Sequence, residues 1–219
     1  MKKIIIALYL LCFMTFNSRA QDWPNLKRYQ AANDTAKNVQ VVYLGDSITD
    51  FWLRNSPAFF TDNKYADRGI SGQVSPQMLL RFRQDVIALK PKSVVILCGT
   101  NDIAGNTGPS TLEMIEDNIR SMCELAKANK IKVVLCSVLP ANKFGWKPSL
   151  QPADSIIALN TWIKKYSKEK HLGYADYYSA MVDEQKGLKK ELSKDGVHPN
   201  KEGYTIMEEI VQPIIKRIL

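Results

Sequence analysis

The stretch Ser93-Val94-Val95-Ile96-Leu97-Cys98, which runs directly into Gly99-Thr100-Asn101-Asp102, decides the fold. An uncharged run rich in β-branched side chains reads as a strand buried on both faces, and such strands belong to parallel sheets covered by helices. The polar turn behind it marks the carboxyl end of the strand. Working outward, similar runs lie at residues 39–44, 132–138 and 172–175, with a weaker one at 64–68. Between them, helical periodicity spans 76–89, 111–129 and 154–170, and a last helix covers 201–218 with Pro213 as a bend point. Residues 22–36, with Trp23 and Tyr29, read as an N-terminal helix packed on the body. Strand and helix alternate along the chain. That pattern predicts an α/β fold with a five-stranded parallel sheet between two helical layers.

Such a sheet restricts where chemistry can sit, because ligands bind beyond the carboxyl ends of the strands. Gly45-Asp46-Ser47-Ile48-Thr49 follows the first strand and Arg68-Gly69-Ile70-Ser71-Gly72 the second. Gly99–Asp102 follows the third and residues 140–154 the fourth. All four fall on one edge. The chain has only two histidines, His171 and His198. His171 falls on the opposite edge and reads as a cation near a helix C-terminus. His198 comes after the fifth strand and returns to the active edge, so it is the candidate base.

Ser47 is the candidate nucleophile. Gly45 permits a sharp exit from the strand, and the Ser47 N–H at a helix start faces developing negative charge. A serine in that place is also an ordinary N-cap. Asp195-Gly196-Val197-His198-Pro199 puts a carboxylate and an imidazole three residues apart in a turn. There Asp195 can hold one ring nitrogen while the other faces Ser47. The same segment also reads as a polar loop before a helix capped by Asn200. The Asn101 side-chain amide and the Gly69 N–H are candidate oxyanion donors, and both residue types also serve simple turns. Asp102 is expected to order these loops. Asp46, Trp52, Phe144 and Trp146 are the candidates for the substrate pocket; the last two stack on a sugar, line an acyl cleft or anchor their loop.

Bulk properties narrow the class. At 219 residues, 45% hydrophobic and 24% charged, the chain fits one globular domain. Residues 1–20 read as a secretory signal: Lys2 and Lys3, an apolar run, then Ser18-Arg19-Ala20 as the cleavage site. The run is too short for a comfortable membrane span. Leu11 disfavours lipidation at Cys12, so residues 21–219 are expected as one secreted or periplasmic domain without an integral span. Loss of Lys2, Lys3 and Arg19 takes three from the formal charge of +8. The remaining basic residues are scattered over helix faces, which argues against a nucleic-acid partner. Cys98, Cys123 and Cys136 read as buried thiols. No CxxC, HExxH or histidine cluster suggests a metal, and no cofactor is implied. No feature of the sequence fixes an oligomeric state.

The four blocks carrying Ser47, Gly69, Asn101 and His198, in that order, make the chain resemble the GDSL esterases and lipases of the SGNH hydrolase superfamily. They span residues 45–199. Asp67 stands where many members have Asn, and Ile48 replaces the Leu of the name. The α/β-hydrolase elbow GxSxG fits less well, since Thr49 occupies its last position. The resemblance implies a flavodoxin-like three-layer fold and a metal-independent serine esterase. In it Ser47 attacks, His198 relays the proton and Asp195 orients His198. The oxyanion is then held by Ser47, Gly69 and Asn101. Compact loops favour acetyl or other short esters, and the pattern is similar to bacterial acetylesterases acting on carbohydrates and to the platelet-activating-factor acetylhydrolase-like branch. The expected partner is a small-molecule or glycan ester. The other readings are a lysophospholipase or thioesterase for longer acyl chains, a non-catalytic glycan-binding module and an O-acyltransferase.

Overall fold

The computed structural model describes residues 22–219. The leader expected over residues 1–20, with Cys12, lies outside them. Five parallel strands form one sheet: β1 (Val41–Gly45), β2 (Tyr65–Gly69), β3 (Ser93–Leu97), β4 (Lys132–Cys136) and β5 (Gly173–Ala175), in the order β2-β1-β3-β4-β5. This is the flavodoxin-like order. The chain leaves β1 toward β2 on one side and returns to β3 on the other, and a crevice opens at that switch point. Gly45 pairs with both Gly69 and Leu97, so the segments after β1, β2 and β3 start level with one another.

Among the described residues, nine α-helices accompany the strands: α1 (Gln30–Thr35), α2 (Ser47–Asn55), α3 (Pro57–Asn63), α4 (Ser75–Asp85), α5 (Thr100–Ala104), α6 (Leu112–Ala128), α7 (Ala153–Glu169), α8 (Tyr177–Met181) and α9 (Lys201–Ile218). Successive strand residues point to opposite faces and build two cores. On one face Val42, Leu44, Val94, Ile96, Val133 and Leu135 pack with side chains of α4, α6 and α7. On the other, Val41, Tyr43, Val95, Leu97 and Val134 pack with α2, α3 and α9. In α6 the buried residues are Ile115, Ile119, Met122, Cys123 and Ala126, one helical stripe. Thr111 caps its start by accepting from the Met114 N–H, and Asn200 caps α9 by accepting from the Gly203 N–H.

Several boundaries differ from the sequence reading, for local reasons. The fourth strand was expected through residue 138 but ends at Cys136. Asn160 of α7 takes over the next backbone groups, accepting from Val138 N–H at 2.7 Å and donating to the Val138 carbonyl at 2.9 Å. The helix expected over 76–89 stops at Asp85 and resumes as a 3-10 turn, Ile87–Leu89. The single helix expected over 22–36 is a 3-10 turn, Leu26–Tyr29, followed by α1. Tyr29 fastens it to the body by donating to the Gly69 carbonyl. Helix α3, which the sequence reading left unassigned, carries Pro57 at its first position, where the missing N–H costs nothing.

Candidate active site

Ser47 opens α2 two residues beyond the end of β1. Asp46 makes that start possible: its buried carboxylate accepts from the Ile48 N–H at 2.9 Å. Gly45 is required by space, since a Cβ there would lie 2.0 Å from Thr49 Oγ1. Ser47 is half-buried, and its Oγ lies 2.8 Å from His198 Nε2. His198 Nδ1 lies 2.7 Å from Asp195 Oδ2.

The turn that holds this pair is self-bonded. Asp195 Oδ1 accepts from the backbone N–H groups of Val197 (2.9 Å) and His198 (2.8 Å). Ser193 Oγ lies 3.1 Å from the same oxygen, accepts from the Gly196 N–H and donates to the His198 carbonyl. Partial burial pushes the Asp195 carboxyl up, but hydrogen bonds from the His198 ring and the two N–H groups outweigh it and bring the pKa down to about 2. Asp195 is therefore a fixed negative charge beside the imidazole. Ser193 is absent from the sequence reading; its only signal is a hydroxyl two residues before Asp195.

Phe51, not Trp52, shares the Ser47 side of α2, four residues on. Its ring centroid lies 5.1 Å from that of His198. Trp52, expected in the pocket, is 1% exposed and belongs to the core, where it stacks on Phe59 and donates to Glu208. Helical spacing explains the difference, since Ile48, Thr49 and Trp52 form the face turned to the sheet. Phe144 is likewise a core residue. Trp146 is 48% exposed and lies flat on Phe144 at 4.9 Å. Asp46 is a buried helix cap, not a pocket surface. Burial raises its pKa to about 6, against the Ile48 N–H and His198, which lower it.

Asn101 lies in the first turn of α5, buried beside this cluster. Its Nδ2 donates to the Gln73 carbonyl at 3.0 Å and faces Asp46 Oδ2 at 3.3 Å. Asp102 orders the neighbouring loop: its carboxylate receives both the N–H and the hydroxyl of Ser75 at the start of α4. The Gly69 N–H, expected as an oxyanion donor, is already committed to Asp67 Oδ1 at 2.8 Å. A Cβ at Gly69 would lie 2.0 Å from the Asp50 backbone nitrogen, so this glycine serves the close approach of β2 to α2. Gly72, three residues later, has φ +79° and, among the described residues, nothing within 4 Å of where a Cβ would sit, and it adjoins the Gln73 carbonyl that holds Asn101.

His171 is exposed at the opposite end of the sheet with φ 55°. It lines a cavity of about 680 Å³ with Lys127, Lys130, Lys132, Lys170 and Arg217. α6, α7 and α9 all end there, and cations at helix C-termini answer the negative dipole ends. Among the described residues, no cluster of three or more His, Cys, Asp or Glu side chains could hold a metal ion, and no helix is long and apolar enough to cross a membrane. Cys98, Cys123 and Cys136 are buried, and among the described residues none forms a disulfide.

Residues 43–206 match the model of the GDSL-like Lipase/Acylhydrolase family. The chain is 30% identical over 152 residues to an acetylxylan esterase of Xylanibacter ruminicola, an alignment that covers 61% of this chain and 30% of that protein. It is 27% identical over 142 residues to an uncharacterized lipoprotein, YqeF, of Bacillus subtilis, covering 63% of this chain and 58% of that one. The chain thus spans less than two thirds of either relative. Among solved structures, a GDSL-like lipase from Bacteroides thetaiotaomicron superposes with a TM-score of 0.87 at 47% identity, covering 90% of this chain and 99% of that one.

Proposed function

The chain belongs to the GDSL-like lipase/acylhydrolase family, and from that premise we propose that it is a secreted serine esterase that removes acetyl or other short acyl groups from carbohydrate hydroxyls. One observation carries the reading: the unbroken line Ser47 Oγ to His198 Nε2 at 2.8 Å and His198 Nδ1 to Asp195 Oδ2 at 2.7 Å. In it, His198 takes the Ser47 proton as Oγ bonds to the acyl carbon. The tetrahedral intermediate collapses as His198 protonates the departing sugar oxygen, leaving an acyl-serine. Water then attacks, giving its proton to His198, and acetate leaves with Ser47 restored. Asp195 stays ionised throughout and stabilises the imidazolium.

The oxyanion falls to the Ser47 N–H at the start of α2, to Asn101 Nδ2, and to the Gly72 N–H in place of Gly69. For Asn101 this means exchanging its long contact to Asp46 for the oxyanion. Supports for a glycan ester are the half-exposed Trp146, whose free face suits a pyranose ring, and the acetylxylan esterase relative. The leader read over residues 1–20 supports export.

The test compares p-nitrophenyl acetate with the octanoate ester, using Ser47→Ala as the blank, and then acetylated xylooligosaccharides. The expected outcome is Ser47-dependent preference for acetate and release of acetate from the oligosaccharide. Preference for octanoate would move the substrate to lipid or thioester chemistry. Undiminished turnover in Ser47→Ala would overturn the mechanism.

A further inference from the structure

Asn106 lies outside the triad and the oxyanion donors, yet it joins the loop after β3 to the loop after β4. Trp146 Nε1 donates to Asn106 Oδ1 at 3.0 Å, and Asn106 Nδ2 donates to Asn101 Oδ1 at 2.7 Å. Asn101 Nδ2 then donates to Gln73 and faces Asp46, the residue before Ser47.

This line has one possible direction. An indole N–H only donates, so it demands the oxygen of the Asn106 amide. The Asn106 nitrogen is then left to donate, and it demands the oxygen of the Asn101 amide. With its oxygen held on that side, Asn101 turns its NH₂ toward Gln73 and Asp46. An inverted Asn101 amide would set a carbonyl dipole against the developing oxyanion, which is the wrong sign for catalysis. Two further bonds stiffen the arrangement: the Asn106 N–H donates to the Asn101 carbonyl at 3.1 Å, and the Lys147 side chain donates through Nζ to the Ala104 carbonyl at 2.6 Å.

We propose that Asn106 is a positioning residue that locks the Asn101 amide with its donor toward the reacting carbonyl, and that the Trp146 indole N–H closes this lock. The side chain offered as a sugar platform is thereby wired to the oxyanion donor by two hydrogen bonds. The proposal rests on the reading of Asn101 as an oxyanion donor and is independent of the sugar assignment.

The test uses the full chain with p-nitrophenyl acetate, which carries no sugar, and phenylboronic acid, which forms a tetrahedral adduct on the serine. Asn106→Asp keeps the shape and still accepts from Trp146, but when ionised it has no proton for Asn101. It is expected to lower kcat by about tenfold or more, short of the full loss of a donor, with KM within about twofold. Phenylboronic acid should bind more weakly by a similar factor, with Tm little changed. Trp146→Phe keeps an aromatic ring on Phe144 and removes the N–H together with the rest of the pyrrole ring; kcat should fall by about threefold at unchanged KM. Asn101→Ala is the control. If it lowers kcat while Asn106→Asp does not, the lock is overturned and the oxyanion reading stands. If Asn101→Ala leaves kcat intact, both fall together. Should Asn106→Asp fail to fold, Trp146→Phe decides alone, and an unchanged kcat there overturns the proposal.

Discussion

Arg81 Nη2 donates to the Gly45 carbonyl at 2.9 Å, so a fully buried guanidinium of α4 holds the last residue of β1, two positions before Ser47. The same side chain donates to Gln73 Oε1 at 2.6 Å and to Asp85 Oδ2 at 3.0 Å. It therefore clamps together the turn bearing Ser47 and the turn whose carbonyl holds Asn101. A buried ion pair contributes little net stability, but breaking one partner leaves the other charge uncompensated. Arg81→Met should lower stability by about 3–5 kcal/mol, read from urea midpoints. Adding Asp85→Leu should recover part of that stability without restoring kcat, because the Gly45 carbonyl and the Gln73 side chain remain unclamped. Full recovery of kcat in the double variant would show that Arg81 acts on stability alone.

Gly69 and Gly72 separate a packing requirement from a catalytic one. Alanine at Gly69 must push its Cβ through the backbone of α2, and the neighbour cannot swing aside. Gly69→Ala should therefore cost about 1–3 kcal/mol or more and displace Ser47. Gly72→Ala meets no neighbour and bears only the strain of a positive φ, about 1 kcal/mol. Its Tm should fall little, while kcat falls more than Tm would suggest if that turn carries the oxyanion N–H. Equal Tm losses in the two variants would contradict the steric assignment.

The parallel sheet and the edge that carries the site follow from features plainly visible in the chain: mostly apolar strands, Gly-rich exits and two histidines on opposite edges. Ser47 stood out as a candidate in the Gly-Asp-Ser turn directly after β1, His198 as one of only two histidines, and Asp195 as the carboxylate three residues before it. Trp52 was named for the pocket although Phe51 faces His198, because adjacent positions on a helix point about 100° apart and only the packing of α2 on the sheet fixes which one does. Gly69 and Gly72 share one short motif, and nothing local says that the first N–H is taken by Asp67. Asn106 and Ser193 act through hydrogen bonds to residues already chosen, so their roles exist only once the loops meet.

Asp195 tests whether charge or shape holds the imidazole. Asn in its place can still accept from the Val197 and His198 N–H groups, so the turn should persist. It would favour the wrong tautomer of His198, and Asp195→Asn should lower kcat by about 10³–10⁴-fold. The native carboxyl pKa is depressed to about 2, so its contribution to stability is present above the unfolded carboxylate range and is lost as pH falls through about 2. Between pH 4 and pH 2 the wild-type chain should lose stability relative to Asp195→Asn, as followed by thermal melts. A constant difference across that window would mean that Asp195 is not held as a carboxylate.

Asp67 should behave in the opposite sense. Its Oδ1 takes the Gly69 N–H, but its buried Oδ2 has no hydrogen-bond partner among the described residues, and burial raises its pKa to about 7, with Asp50 adding to the rise and the Gly69 N–H and Arg68 opposing it. A carboxyl whose native pKa is raised holds its proton in the folded state after the unfolded chain has released its own. Stability therefore declines as pH climbs from the unfolded carboxylate range to about 7 and is level beyond. Asp67→Asn keeps the acceptor for Gly69 and removes the titration. Between pH 5 and pH 8 the variant should gain about 2 kcal/mol relative to wild type, measured by urea unfolding at both pH values. If the two proteins keep the same difference at both, Asp67 is ionised throughout and Arg68 compensates it fully. The gain should be confined to stability, since Asp67 Oδ1 holds Gly69 and touches no group of the proposed proton relay.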